Sequence, residues 1–387
     1  MSFEKPLQKS LKTRFILAVA VLPFMAACTS KKVPPPMLAP VANSVPVATV
    51  WNKHVGASTK LDLTKYVPAV DGNQLFTSDT HGNIDAIQVA TGKTSWHIRL
   101  KQGVSGGVAV GAGAVYVPTK DGHIYALNEQ NGQTLWHKTL PNQSNTAPTY
   151  ASSQVYVKTI DDKLVALSAS TGQIAWSYDE GSTELQLLGS SRAAVSGDMV
   201  AAGFSDGKVD GVNAANGQLI WQTTVATPQG FSDVDQMIGV FADPIISGNT
   251  VYVASYNGSV AALDLNSGAV KWQTPFSSYA NIGLSNDAIF AVNPDGKIVA
   301  FNRTNGAIKW KQDALAGRQL SGIAMDGNNL VLGDNLGNVH WLSQQDGHFV
   351  ARTSLGKSAI AMPPVVASGH VIVLEQDGNM VVLRLVQ

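Results

Sequence analysis

The residues able to do chemistry in this chain are few and scattered. The only cysteine, Cys28, follows Met25-Ala26-Ala27 at the end of an apolar stretch. A lone thiol cannot make an internal disulfide, so its place at the end of an export signal points to modification. The eight histidines stand alone or at equivalent places in a repeat. His97 and His137 each directly follow a tryptophan and read as surface strand residues, not metal ligands. The acid pair Asp161-Asp162 falls at a hairpin turn, where aspartate bonds the local backbone. The sequence contains no Ser-His-Asp elbow, HExxH or P-loop pattern. Enzymatic activity therefore has no positive support, and no cofactor is expected. Chemistry of another kind gathers in two segments, around Leu185, Leu187 and Leu188 and around Phe231, Asp233, Val234 and Asp235. Both set apolar side chains in what should be connecting loops, the second with acidic neighbours, a combination suited to binding a protein. The alternative is that the leucines only cover the ends of their own structural units.

The elements that must position these loops are written in glycine and tryptophan. Gly82/Trp96, Gly122/Trp136, Gly207/Trp221, Gly258/Trp272 and Gly296/Trp310 are each 14 residues apart, with a second glycine always 10 after the first. Another copy reads Asp162, Gly172, Trp176, and a seventh reads Gly337, Gly347, Ala351. An eighth begins at Gly378 and stops one residue before its second glycine is due. Successive units start 38 to 51 residues apart, so a rigid core alternates with variable connections. Within one unit, Val115-Tyr116-Val117, His123 to Leu127 and Gln133 to His137 read as strands. Asp121-Gly122, expected as a type I′ turn, and Asn131-Gly132 lie between them. A further strand is expected around residues 107–110. Small residues recur four positions after the first glycine (Ala86, Ala126, Ala166, Gly211, Ala262, Ala300), and the large tryptophan ten after that, as facing blades require. The fold class is all-β: an eight-bladed propeller of four-stranded antiparallel blades. The last copy lacks its tryptophan-bearing strand, and Val47 to Lys53, with Trp51, supplies one. The ring is therefore expected to close by pairing the N- and C-terminal strands, which removes an exposed edge.

Residues 1–27 read as a signal peptide. Lys5, Lys9, Lys12 and Arg14 precede an apolar core over 15–25 that is too short to span a membrane. Met25-Ala26-Ala27-Cys28 resembles the lipobox of bacterial lipoproteins, which implies lipidation at Cys28. Thr29 follows the cysteine where aspartate would favour inner-membrane retention, so the outer membrane is expected. Residues 28–45 are proline-rich and read as a tether, and 46–387 as the propeller. Without residues 1–27 the chain carries 23 Lys+Arg against 26 Asp+Glu, a net charge of about −3, with nothing to suggest nucleic acid as a partner.

The unit Ala-Leu-(Asn/Asp)-x-x-(Thr/Asn)-Gly-x-x-x-Trp, seen at Ala126 to Trp136 and Ala262 to Trp272, resembles the repeat of quinoprotein-type propellers. One such group is the pyrroloquinoline-quinone alcohol dehydrogenases, which are longer and carry an adjacent cysteine pair. The other is the BamB family of propeller lipoproteins, which act in inserting β-barrels into the bacterial outer membrane. The signal, the tether and all eight units resemble it. Ser232-Asp233-Val234-Asp235 matches the S-D-V-D motif of that family. Leu185 to Ser191 matches its L-x-L-R-G-x-S segment, except that Leu188 stands where the family has arginine and the nearest arginine is Arg192. The resemblance implies a non-catalytic scaffold of the barrel-assembly (BAM) complex on the periplasmic face of the outer membrane. In that reading Leu185, Leu187, Leu188, Asp233, Val234 and Asp235 meet the periplasmic POTRA domains of BamA, and unfolded outer-membrane proteins are a further partner. The alternatives are a periplasmic ligand-binding propeller and the quinone-dependent dehydrogenase. Loop length agrees with the BamB reading. From each tryptophan to the next unit's first marker most connections run 24 to 27 residues, but Trp176 to Gly207 and Trp51 to Gly82 run 31 and Trp221 to Gly258 runs 37. The two internal expansions follow successive blades, so they are expected side by side on one face.

Overall fold

Each repeat folds as its side chains dictate. In the second blade β6 (Ala109–Gly111), β7 (Ala114–Pro118), β8 (His123–Asn128) and β9 (Thr134–Thr139) form one antiparallel sheet in that order. All five residues of β7 are buried, because the sheet is covered on both faces by its neighbours. The outer strand β9 is largely exposed, and apart from Leu135 and Trp136 its side chains are polar. The computed structural model describes Met1 and residues 35–56, 65–181, 189–232 and 236–386. Among these lie eight such sheets, spanning 69–99, 109–139, 149–179, 194–224, 245–275, 283–312 and 324–354, with the eighth made of 365–385 and 47–54. They form an eight-bladed propeller, the architecture expected from the repeat. The eighth blade takes its outer strand from the other end of the chain: β1 (Val47–His54) pairs antiparallel with β32 (Asn379–Leu385), from Val47 opposite Leu385 to His54 opposite Asn379.

The turns differ in one respect from the expectation. Asp121-Gly122 is not a type I′ turn, since only Gly122 has a positive φ, +77°. It closes a longer loop in which Gly122 N–H donates to Thr119 O and Thr119 N–H to His123 O. The two-residue hairpins with both φ positive are the inner ones, such as Ala112-Gly113 at +53° and +73°. Asp162, which replaces the first glycine of its repeat, holds φ +59° and also buries its carboxylate 3.2 Å from Lys158 Nζ. It thus does more than turn the chain.

The repeating tryptophan lies between blades. Its indole N–H donates to a backbone carbonyl of the following blade: Trp51 to Val89 at 2.7 Å, Trp96 to Glu129, Trp136 to Ala169, Trp176 to Ala214 and Trp221 to Leu265 at 2.8 Å, and Trp272 to Arg303 and Trp310 to Gln344 at 2.9 Å. The second glycine of that following blade is the seat for the ring. A Cβ on Gly172, which also has φ +70°, would lie 2.4 Å from the Trp136 ring. This pairing accounts for the invariant spacing, because a displaced glycine would put a side chain in the tryptophan's place. Within its own sheet each tryptophan from Trp96 to Trp310 faces the small residue of the repeat, as Ala126 faces Trp136, whereas Trp51 faces Val382. The seventh blade exchanges the two: Trp341 takes the small place and faces Ala351. Among the described residues no turn joins the two outer strands of the eighth blade, β32 and β1, so the glycine seat of the other junctions is missing there.

Candidate partner-binding face

In a four-stranded antiparallel blade the outer strand exits at the same end as the turn between the middle strands. All connections between blades therefore run over one face, and the remaining turns lie on the other. The long connections span 55–68, 180–193 and 225–244. Leu185, Leu187, Leu188, Asp233, Val234 and Asp235 fall on two of them but lie outside the described residues, as does Cys28. What is described is how these connections are held.

The 225–244 connection is pinned at both ends. Val225 and Ala226 donate backbone hydrogen bonds to Gly207 O at 2.9 and 3.1 Å, and on the return Val240 donates to Phe204 O at 3.0 Å and Tyr256 to Gly239 O at 2.8 Å. Ile238, Val240 and Phe241 are buried, so the return leg is part of the core. Residues 227–232 are exposed, and Phe231 is wholly so. The return leg of 180–193 lies against it. Ser191 Oγ donates to Val240 O at 3.0 Å, and Gly189 lies so close to the Phe241 ring that an added Cβ would sit 2.7 Å from it. The two connections thus run side by side where they are described.

All three long connections meet at Asp243. Arg192 donates to its carboxylate through both the backbone N–H at 2.9 Å and Nε at 3.0 Å. Asn281 Nδ2 donates to it at 2.9 Å, and Lys65 Nζ lies 4.0 Å away while bonding Phe241 O. Burial would raise the Asp243 pKa, but Arg192, Lys65 and these hydrogen bonds outweigh it and hold the group below the usual carboxylate range. Burial also lowers the Lys65 ammonium from its ordinary value, with Asp243 opposing. The sequence reading did not single out Lys65, Asp243 or Asn281. The one signal for them was the third long spacing, from Trp51 to Gly82. Arg192, noted as the arginine nearest Leu188, is committed to Asp243. Beside this cluster lies an apolar hollow of about 380 Å³ lined by Phe241, Tyr256, Tyr279, Leu320 and Met362. A channel of about 540 Å³ follows the ring axis between the inner strands.

At the start of the 180–193 connection a second polar cluster is buried. The Tyr178 hydroxyl lies 2.8 Å from Glu180 Oε2 and 2.7 Å from Asp210 Oδ2. One hydroxyl proton cannot serve two carboxylates, so the set is complete only with an added proton. Burial pushes Asp210 up to about 7, with Glu180 contributing. Burial also opposes the Glu180 charge, but Lys208, 2.7 Å from it, holds its pKa below normal.

A rigid ring that carries enlarged, cross-linked loops at one end defines a repeat propeller built to bind. The family model described as outer membrane protein assembly factor BamB matches residues 80–312 and 295–385. The outer membrane protein assembly factor BamB of Pseudomonas aeruginosa is 44% identical over 95% of this chain and 97% of its own, and that of Legionella pneumophila 42% over 89% and 90%. The crystal structure of BamB from Moraxella catarrhalis superposes with a TM-score of 0.79 at 22% identity, covering 87% of this chain and 99% of that one, and shares the fold. This chain belongs to the BamB family of outer membrane protein assembly factors, and the non-catalytic reading of its sequence stands with it.

Proposed function

We propose that this chain is a lipid-anchored scaffold of the outer-membrane β-barrel assembly complex. It is held on the periplasmic face through Cys28 and grips the POTRA domains of BamA with the paired connections 180–193 and 225–244. Leu185, Leu187 and Leu188 supply apolar contact, the side chain of Val234 adds to it, and Asp233 and Asp235 supply charged hydrogen bonds. The observation that carries the reading is the cross-linking of the two return legs, Ser191 to Val240 and Arg192 to Asp243, beneath a fully exposed Phe231. A rigid base under apolar tips lowers the ordering cost of binding, and a few such residues carry most of an interface's energy. Unfolded outer-membrane proteins are clients handed to BamA in this arrangement.

The test pairs binding with folding. Leu187→Arg and the double change Asp233→Ala/Asp235→Ala are expected to abolish co-purification of BamA from detergent-solubilised membranes while melting within about 2 °C of the parent. Loss of the fold in both variants, or normal BamA recovery by both, contradicts the assignment. Palmitate labelling of the parent, absent in Cys28→Ala, tests the anchor separately.

A further inference from the structure

The junction between the seventh and eighth blades lacks the tryptophan lock of the other seven, and the segment before β1 occupies it. Val45 N–H donates to Val350 O at 2.9 Å, beside Ala351, where the repeat calls for tryptophan. Val45 packs in the cluster that contains Trp341 and Ala351, and Leu38 in the cluster of Leu315 and Leu320, with Trp310 and Phe349. Two arginines grip the backbone on either side of Leu38. Arg318 Nη2 donates to Pro36 O at 3.1 Å and Arg352 Nη1 to Ala39 O at 2.8 Å.

Both arginines are set from inside the blade. Arg318 Nη1 lies 2.8 Å from Asp334 Oδ2, and both groups are buried. Arg352 Nε donates to His340 Nδ1 at 3.1 Å, so the other ring nitrogen of a neutral His340 donates to Asp334 Oδ2, also at 3.1 Å. A buried, fully bonded chain of this kind holds one geometry. The proline-rich segment is therefore seated over 35–46.

We infer that this seated strap makes the edge of the seventh blade the side of the propeller held toward the lipid surface. The inference rests on lipidation at Cys28. A chain free from Cys28 to Val47 would span up to roughly 60 Å, enough to let any side of the ring approach the membrane. Gripped from Pro35, it spans at most about 25 Å. The connections 180–193 and 225–244 leave the third and fourth blades, three to four blades away round the ring. Pro35 lies against Gly317, in the connection that enters the seventh blade, so the anchor leaves on the same face as these connections and holds them at the far side of the ring from the attachment point.

The experiment uses the full lipidated protein in proteoliposomes of phosphatidylethanolamine and phosphatidylglycerol with a headgroup-labelled energy acceptor. Single donor labels go on Ser354→Cys, on the outer strand of the seventh blade, and on Ser177→Cys, on that of the third; both sites are exposed. Transfer from residue 354 is expected to exceed that from residue 177 by about twofold or more. The difference should vanish in Leu38→Asp, which unseats the strap. It should also vanish when 18 flexible Gly/Ser residues are inserted between Cys28 and Pro35, which leaves the strap and the fold untouched. Flotation with the vesicles but equal transfer from both sites overturns the inference and leaves the anchor standing. Failure to float overturns both. A difference that survives the insertion overturns the role of the strap.

Discussion

Removing the Trp51 side chain should open the ring at its seam. The indole sits against Gly92 of the first blade and donates to Val89 O at 2.7 Å. Burial of a large aromatic is worth about 3–5 kcal/mol on truncation to alanine, and the half-buried position of Trp51 places it near the low end. The lost hydrogen bond adds about 1 kcal/mol. Trp51→Ala should therefore cost about 3–4 kcal/mol, and at about 2 °C per kcal/mol for a chain of this length the melting temperature should fall by roughly 6–8 °C. Trp136→Ala makes the matching loss at an interior junction and is the control. There β9 continues directly from the turn after β8, whereas β1 is joined to β32 only by pairing. Calorimetry should show comparable losses in both variants. Limited proteolysis should cut within 47–54 only in Trp51→Ala, and that variant alone should associate through the uncovered edge of β32. Melting within 1 °C of the parent, or equal cleavage at β9 in Trp136→Ala, would refute closure by the terminal strand.

Gly172→Ala should be markedly more destabilising than Gly113→Ala, because both positions have a positive φ but only the first would press a Cβ into a tryptophan ring; chemical denaturation of the two variants measures the difference. Asp210 keeps its proton in the folded chain up to about pH 7 and in the unfolded chain only up to about 4, so stability should decline as pH rises through that window, by up to about 4 kcal/mol. Asp210→Asn should flatten that pH dependence and exceed the parent in stability at pH 8, as read by urea unfolding at pH 5 and pH 8. The Asp334 carboxylate is held far below its ordinary pKa, as hydrogen bonds from His340 and Asn338 override burial, so its contribution is present at neutral pH and lost as pH falls below about 4. Asp334→Asn leaves Arg318 buried without its countercharge and should cost about 3–5 kcal/mol at pH 7, with little further loss on acidification.

Much of the ring was legible in the sequence because its locks are local in spacing. Each tryptophan, its small partner and the glycine seat of the next blade recur at fixed offsets, and steric exclusion forbids drift. The incomplete last copy and Trp51 announced the closure for the same reason. The turn at Asp121-Gly122 misled because a single left-handed glycine serves a longer loop as well as a type I′ pair. The cluster of Lys65, Arg192, Asp243 and Asn281 was not legible, since its members lie far apart in sequence and meet only when the ring closes. The seat of residues 35–46 was hidden for another reason. Arg318 and Arg352 bind backbone carbonyls, which carry no signature of residue type. The exchange of Trp341 and Ala351 was the one visible mark of an altered junction.

The central claim is that the connections 180–193 and 225–244 hold the periplasmic domains of BamA. The most direct measurement replaces Phe231 by a photo-cross-linking phenylalanine in cells, with Thr304, exposed on the opposite face, as control. Irradiation should link residue 231, and not residue 304, to the POTRA domains of BamA. A linkage from residue 304 alone, or none from either, would contradict the account.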